Sequence, residues 1–278
     1  MCKKVLLITV LFFGVNTMLF SQDGKLNKGK ESLKTTSSSN SGGTKSTKKT
    51  NSRQSNDDDT MNPFVGIVWG LFAYTIYGVL VESPWEMDGK MHGSEIANYA
   101  YKEKSYGNFI YTDSTNYNIT RFDVTNNFVI ENSNLYGNNF GINFRFLKRF
   151  ALDLDYLYLS EKADGKRDSF SLYSALLKYH RIRTQRFDAW FGFGMMYVAN
   201  NVNKTGFGLG VGSEIFIAKP VSLDFSHKWT NINNQEVHKT KLLLKYHIKN
   251  YQVSSGYEHF KIGVSKINAF SIGVGASF

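Results

Sequence analysis

Three features of the sequence predict an all-β chain closed into an antiparallel up-and-down barrel of about ten strands, with eight to twelve as the range. Apolar and polar residues alternate in stretches of about ten from residue 119 to the end. The composition favours strands, with 16 Tyr, 22 Phe and 24 Gly against 3 Pro in 278 residues. The stretches are even in number, and the connections between them alternate short with long.

Each stretch shows one apolar and one polar face. In the first, Phe122, Val124, Phe128 and Ile130 oppose Arg121, Asp123 and Asn127. Phe140, Ile142, Phe144 and Phe146 alternate with Asn143 and Arg145, and Phe150, Leu152, Leu154, Tyr156 and Tyr158 with Asp153 and Asp155. If Phe146 faces Phe150, Asn143 lies opposite Asp153 with Arg145 diagonal to it, so polar meets polar. Tyr173, Ala175, Leu177 and Tyr179 oppose Ser174, Lys178 and His180; the row from Phe187 to Tyr197 opposes Asp188, Gly192 and Gly194. Phe207, Leu209, Val211, Ile215 and Ile217 alternate with glycines and Glu214, and Val221, Leu223, Phe225 and Trp229 with Ser222, Asp224, Ser226 and Lys228. Leu242, Leu244, Tyr246 and Ile248 follow, then Tyr251, Val253 and Tyr257, and last Phe270, Ile272, Val274, Ala276 and Phe278.

Short connections are expected at 147–149, 181–186, 218–220 and 249–250. Longer ones are expected at 131–139, 160–168, 199–205, 231–238 and 259–267. Apolar outside and polar inside suits a barrel in lipid, with short periplasmic turns and longer outer loops. A soluble β-sandwich also alternates, but it has no need of aromatic rows that end in a C-terminal Phe.

A mean hydropathy of −0.31 excludes a bundle of membrane helices. The single cysteine, Cys2, excludes disulfide frameworks, cysteine zinc sites and thiol nucleophiles. Residues 1–21 read as a secretory signal, with Lys3 and Lys4, an uncharged run from Val5 to Phe20, and Ser21 before the cut. The net charge of +10, which becomes +8 once Lys3 and Lys4 leave with the signal, meets anionic headgroups before nucleic acid, which is not expected as a partner.

Residues 22–60 read as a disordered Ser/Thr/Lys-rich linker whose apolar side chains are one Leu pair, Leu26 and Leu33. Within 61–118, residues 64–81 carry no charge. At 1.5 Å per residue they make a helix of roughly 27 Å, close to a bilayer core; plugging the barrel, bracing it and lying in the membrane all stay open. Gly66 and Gly70 would let another backbone approach it closely. Residues 83–118 read as irregular, and 119–278 as the barrel.

Inside so narrow a barrel, charges must pair. With Ile217 opposite Val221, Glu214 faces Asp224. A register placing Trp229 near Thr240 brings Lys245 opposite Asp224, Leu243 to Ser226 and Lys241 to Lys228, and the Lys249-Asn250 turn sets Lys241 against Glu258. The expected charge ladder is Arg145, Asp153, Glu214, Asp224, Lys228, Lys241, Lys245 and Glu258. The inward Gly192, Gly194, Gly206, Gly208, Gly210 and Gly212 leave room for opposing Tyr, Lys or Arg side chains, for the N-terminal segment, or for a solute. No metal-ligand spacing appears among the six histidines and no cofactor is implied. Ser226, His247 and Asp224 form a candidate hydrolytic trio.

The stretch from Asn268 to Phe278, with Phe270, Ile272, Val274 and a terminal Phe278, resembles the C-terminal signal of Gram-negative outer-membrane β-barrel proteins. Residues 119–278 as a whole resemble small barrels of the OmpA/OmpW type. The resemblance implies outer-membrane lipid and the barrel-assembly machinery as partners, an outer-membrane location with the N-terminal linker in the periplasm, and no particular activity. The expected role is structural, a narrow channel, or envelope assembly, without catalysis; the alternative is a lipid-modifying or lipid-hydrolysing barrel enzyme. An envelope protein partner would bind Leu135, Tyr136 and the outer loops, or residues 64–118.

Overall fold

The computed structural model describes residues 24–34, 93–102, 105–111 and 120–278. The expected signal at 1–21 and the apolar segment 64–81 lie outside them.

Ten strands run β3 (Thr120–Ile130), β4 (Leu135–Phe146), β5 (Phe150–Ala163), β6 (Lys166–Arg183), β7 (Phe187–Val198), β8 (Lys204–Ala218), β9 (Val221–Ile232), β10 (Gln235–Ile248), β11 (Tyr251–Ile262) and β12 (Ser265–Ser277). Each pairs antiparallel with its neighbours in chain order, and β12 returns to β3, closing the barrel. The alternation dictates this. An open sheet would leave unpaired N–H and C=O groups along two edges, and closure removes both.

The outer face is aromatic and aliphatic. At the end that carries Thr120 and Phe278, here the lower end, rings of Phe122, Phe144, Phe146, Phe150, Tyr179 and Phe191 follow one another across five strands, with centroids 5.4–6.4 Å apart. Toward the upper end Tyr156, Tyr173 and Tyr197 form a second row. Between them lie exposed Leu152, Leu154, Ile272 and Val274. From Phe150 to Tyr158 the strand rises roughly 26 Å, or roughly 20 Å along a barrel axis tilted by about 40°, close to the apolar band of a membrane barrel.

The connections correct the sequence reading. Those at the upper end are 131–134, 164–165, 199–203, 233–234 and 263–264, hardly longer than those at the lower end. The hairpins extend past the aromatic rows because their turns are tight. Asp164-Gly165 and Asn233-Asn234 have positive φ at both positions, 51° and 73° in the first and 51° and 62° in the second, as a two-residue hairpin turn of type I′ demands.

The expected linker is also corrected. Within it Lys25–Lys34 forms a helix, α1, seated in the upper mouth with Leu26 and Leu33 fully buried. They join Leu135, Leu157, Leu159, Phe170, Met196, Phe260 and Ile262 in one apolar cluster. Helix N-termini leave N–H groups without partners; here the Glu161 carboxylate accepts from the backbone N–H of Lys25 at 3.0 Å and of Leu26 at 2.7 Å. Lys25 Nζ reaches Glu131 at 2.7 Å and Lys30 pairs with Asp168. Gly29 permits the close seat: a Cβ there would lie 2.8 Å from the Ile262 carbonyl oxygen.

The lower mouth holds part of the segment expected to be irregular. β1 (Ser94–Ile96) and β2 (Phe109–Tyr111) pair antiparallel. Tyr101 donates to the Val221 carbonyl at 2.5 Å, and Lys219 Nζ donates to the Tyr101 carbonyl at 3.0 Å. Burial, aided by Glu214, pushes the Tyr101 hydroxyl up to about 12, so it stays a donor.

Candidate functional site: a filled and plugged lumen

Inward positions of the strands bring charges together from around the barrel. In the middle layer Asp153 receives Lys178 at 3.2 Å and Lys228 at 2.5 Å. Asp155 receives Lys239, Lys241 at 3.3 Å and Lys228 at 3.6 Å. Lys239 also donates to Asn139 at 2.8 Å, and Asn139 in turn donates to Glu258 at 2.9 Å.

The lower layer is keyed to the plug. Arg121 meets Asp123 at 2.9 Å, Arg145 meets Asp188 at 2.9 Å, and His180 Nδ1 lies 2.6 Å from Asp188. Lys245 spans Asp224 at 2.8 Å and Glu214 at 3.3 Å. Asn108, from the lower plug, donates through Nδ2 to Asp188 at 3.0 Å and Glu214 at 2.8 Å, and accepts from Arg121 at 2.9 Å. The two layers bring Arg121, Arg145, Lys178, Lys228, Lys239, Lys241 and Lys245 among Asp123, Asp153, Asp155, Asp188, Glu214, Asp224 and Glu258. Pairing of opposite charges suits a poorly hydrated interior, where a broken pair costs several kcal/mol. The space left among them is about 140 Å³, room for roughly five to ten waters.

All eight residues of the expected ladder point into this lumen, but their partners differ from those expected. Asp224 lies opposite Leu243, and Lys245 opposite Ser222. The β9–β10 register is therefore two residues from the expected one: Trp229 pairs with His238, Lys241 with Ser226 and Lys228 with Lys239. Lys245 reaches Asp224 diagonally. Glu214 does face Asp224, but a bulge sets Ala218 rather than Ile217 opposite Val221. Lys241 is in register with Glu258 yet turns across the lumen to Asp155, and Glu258 accepts from Asn139 and Ser271 instead. Arg145 takes Asp188, with Asp123 at 3.7 Å, rather than Asp153.

The glycine wall takes lysines, as expected, at Gly192 and Gly210, where an added Cβ would lie 3.3 Å from Lys178 Cγ and 3.5 Å from Lys228 Cγ, and it takes apolar side chains besides. A Cβ at Gly212 would lie 2.6 Å from the Trp190 ring, one at Gly210 2.9 Å from Leu176, and one at Gly208 2.8 Å from Met196. Trp190 also carries the Lys178 ammonium 4.0 Å from its ring centroid. Its inward position in the Phe187 to Tyr197 row was the signal for this.

The trio Ser226, His247 and Asp224 does not assemble. Asp224 is taken by Lys245, and His247 Nε2 lies 2.8 Å from Ser222 Oγ, which is also 2.8 Å from Glu214. Ser222 has one proton; given to Glu214, it leaves the imidazole as donor, not base. Among the described residues no group of three His, Cys, Asp or Glu is placed to hold a metal ion. Leu135, expected on a partner-binding loop, is buried in the upper cluster.

Fold and lumen together define a closed ten-stranded antiparallel β-barrel with a charge-filled interior. No protein-family model and no curated protein matches the chain. Among solved structures it is similar to the NanC porin, at 11% identity and a TM-score of 0.38 over 56% of this chain and 98% of that one. It is also similar to an outer membrane channel from Pseudomonas putida F1, at 8% and 0.37 over 57% and 95%. The outer membrane protein OprG from Pseudomonas aeruginosa matches at 10% and 0.33 over 57% and 95%. At these values the barrel rests on its own strand register, with every neighbour paired.

Proposed function

We propose that this protein is an outer-membrane β-barrel with a structural, non-enzymatic role in the envelope, its lumen kept shut by its own N-terminal segments. The observation that carries the reading is the combination of an apolar, aromatic-banded exterior with a charge-filled interior stopped by α1 above and by the β1–β2 hairpin below. Membrane barrels built to conduct keep a water-filled bore, whereas plugged ones fill it with chain. Lipid at the outer face and the barrel-assembly machinery at the strand ending in Phe278 are the partners this implies. The lower end, with both barrel termini, faces the periplasm. A hydrolytic role finds no support in Ser222 and His247, since Ser222 is fully buried and bonded to Glu214.

Separating inner from outer membranes and running the outer fraction on a gel with and without boiling tests this. Heat-dependent migration in the outer fraction is expected. An inner-membrane location with no heat shift would overturn the reading.

A further inference from the structure

On the outer wall, away from the lumen, the apolar rows of β9 and β10 give way near the upper end to imidazoles. His227 follows exposed Phe225 on the outward face of β9, and His238 lies on the same face of β10 as exposed Leu242 and Leu244. Thr240 stands opposite His227 and Trp229 opposite His238, so the two histidines are diagonal neighbours just below the turn Asn233-Asn234. Diagonal partners across a strand pair are within reach of long side chains. His238 Nδ1 lies 3.4 Å from His227 Nε2, although the residues are 11 positions apart and on different strands, so no sequence spacing reveals the pair.

The far nitrogen of each ring is held. His227 Nδ1 lies 2.7 Å from Thr240 Oγ1, and His238 Nε2 lies 3.2 Å from Glu236 Oε2. An ionised carboxylate only accepts, so the ring proton of neutral His238 sits on Nε2 and Nδ1 turns a lone pair toward His227. A hydroxyl can donate or accept; when Thr240 accepts, His227 Nε2 also presents a lone pair. Two lone pairs that face each other call for a cation between them. A carboxylate on the outer nitrogen of an imidazole is also the arrangement that orients metal-bound histidine.

The separation fits one kind of ion. At 3.4 Å the two nitrogens stand outside the range of about 2.7–3.2 Å of a good hydrogen bond. With zinc–nitrogen distances of about 2.0–2.1 Å, a tetrahedral angle sets two nitrogens roughly 3.3–3.4 Å apart. The right angle of a square-planar copper site would set them roughly 2.8–3.0 Å apart. Two protein ligands leave the other positions to water, which reaches His238 through a side chain that is 24% exposed. His259, beyond Thr240, is engaged at Nδ1 by Asn268 at 2.6 Å and supplies no third ligand. Lys261 pairs with Glu236 and stands opposite Lys266, so an anion as well as water suits the open positions.

We propose that His227 and His238 form a binding site for a tetrahedral divalent cation of the zinc type, which clips β9 to β10 below their turn. Equilibrium dialysis of the folded full chain in detergent near neutral pH, with zinc as the probe, tests it. The parent chain is expected to hold one zinc more than His227→Gln or His238→Gln, and the double variant no fewer than either single one. Glu236→Gln is expected to bind about 10–100-fold more weakly, because the carboxylate orients His238. An ion that binds the folded chain alone stabilises it, so zinc is expected to raise the temperature of the heat shift in the parent and not in the histidine variants. Both histidines face outward, so the variants keep the heat shift that certifies a folded barrel. Zinc retained in full by either histidine variant overturns the proposal, as does a folded parent chain that takes up none.

Discussion

Phe122 and Phe278 exchange two backbone hydrogen bonds, 3.0 Å from Phe122 N–H to the Phe278 carbonyl and 2.8 Å in return, and so fasten the last residue of the chain to the first turn-side pair of β3. The residue that resembles an assembly signal is thus also the one that finishes the seam between β12 and β3. Its side chain is exposed. Deleting Phe278 removes both bonds and about 1–3 kcal/mol, whereas Phe278→Ala keeps the backbone. The deletion is expected to lose most of the heat-shifted form on a gel of outer membranes. Phe278→Ala is expected to slow its appearance while leaving the finished barrel as stable; equal behaviour of the two would contradict this.

Lys239 is the most enclosed cation of the lumen, at 1% exposure, between Asp155 and Asn139. Lys239→Met leaves a carboxylate short of a partner and is expected to destabilise the barrel by about 3 kcal/mol. Adding Asp155→Asn is expected to recover part of that, with a coupling of about 1–3 kcal/mol. Urea unfolding of the four proteins, followed by loss of the heat shift, measures it.

The glycine wall gives two opposite outcomes for one substitution. At Gly208 an added Cβ meets the flexible Met196 and Leu176 side chains, and Gly208→Ala is expected to cost under about 1 kcal/mol. At Gly194 it meets the Ala175 carbonyl oxygen at 2.0 Å, which cannot move without the strand. Gly194→Ala is expected to lower the yield of folded barrel severalfold. Comparing refolding yields of the two variants checks this.

Two leucines hold α1 in the upper mouth. Leu26→Asp with Leu33→Asp forfeits about 3–6 kcal/mol of burial, so trypsin is expected to cut after Lys28 and Lys30 about a hundredfold faster while the barrel stays resistant. Unchanged cleavage would mean that the helix is not held there in solution.

Strand alternation made most of this legible in advance, since a period of two is a local property and the inward face of every strand follows from it. Asp224 and Lys245 were brought together on that basis, though through the wrong register. What sets the β9–β10 register is the turn Asn233-Asn234, two asparagines in the left-handed region, inside a stretch read as a loop from 231 to 238. A two-residue turn there fixes every pair below it; an eight-residue loop fixes none. α1 was missed for a different reason. Leu26, Gly29 and Leu33 sit on one helical face, yet ten residues do not hold a helix alone. Its N-terminus is capped by Glu161, 135 residues away, and no local pattern shows that. Asn108 escaped notice likewise, because its three partners come from three strands.

The central claim, a barrel shut by its own chain, is tested most directly by ion conductance of the purified full-length protein in planar bilayers. The account predicts insertion, verified by the heat shift of the same sample, with no sustained conductance steps. Stable, long-lived open steps from a chain that retains residues 25–34 and 93–111 would contradict it.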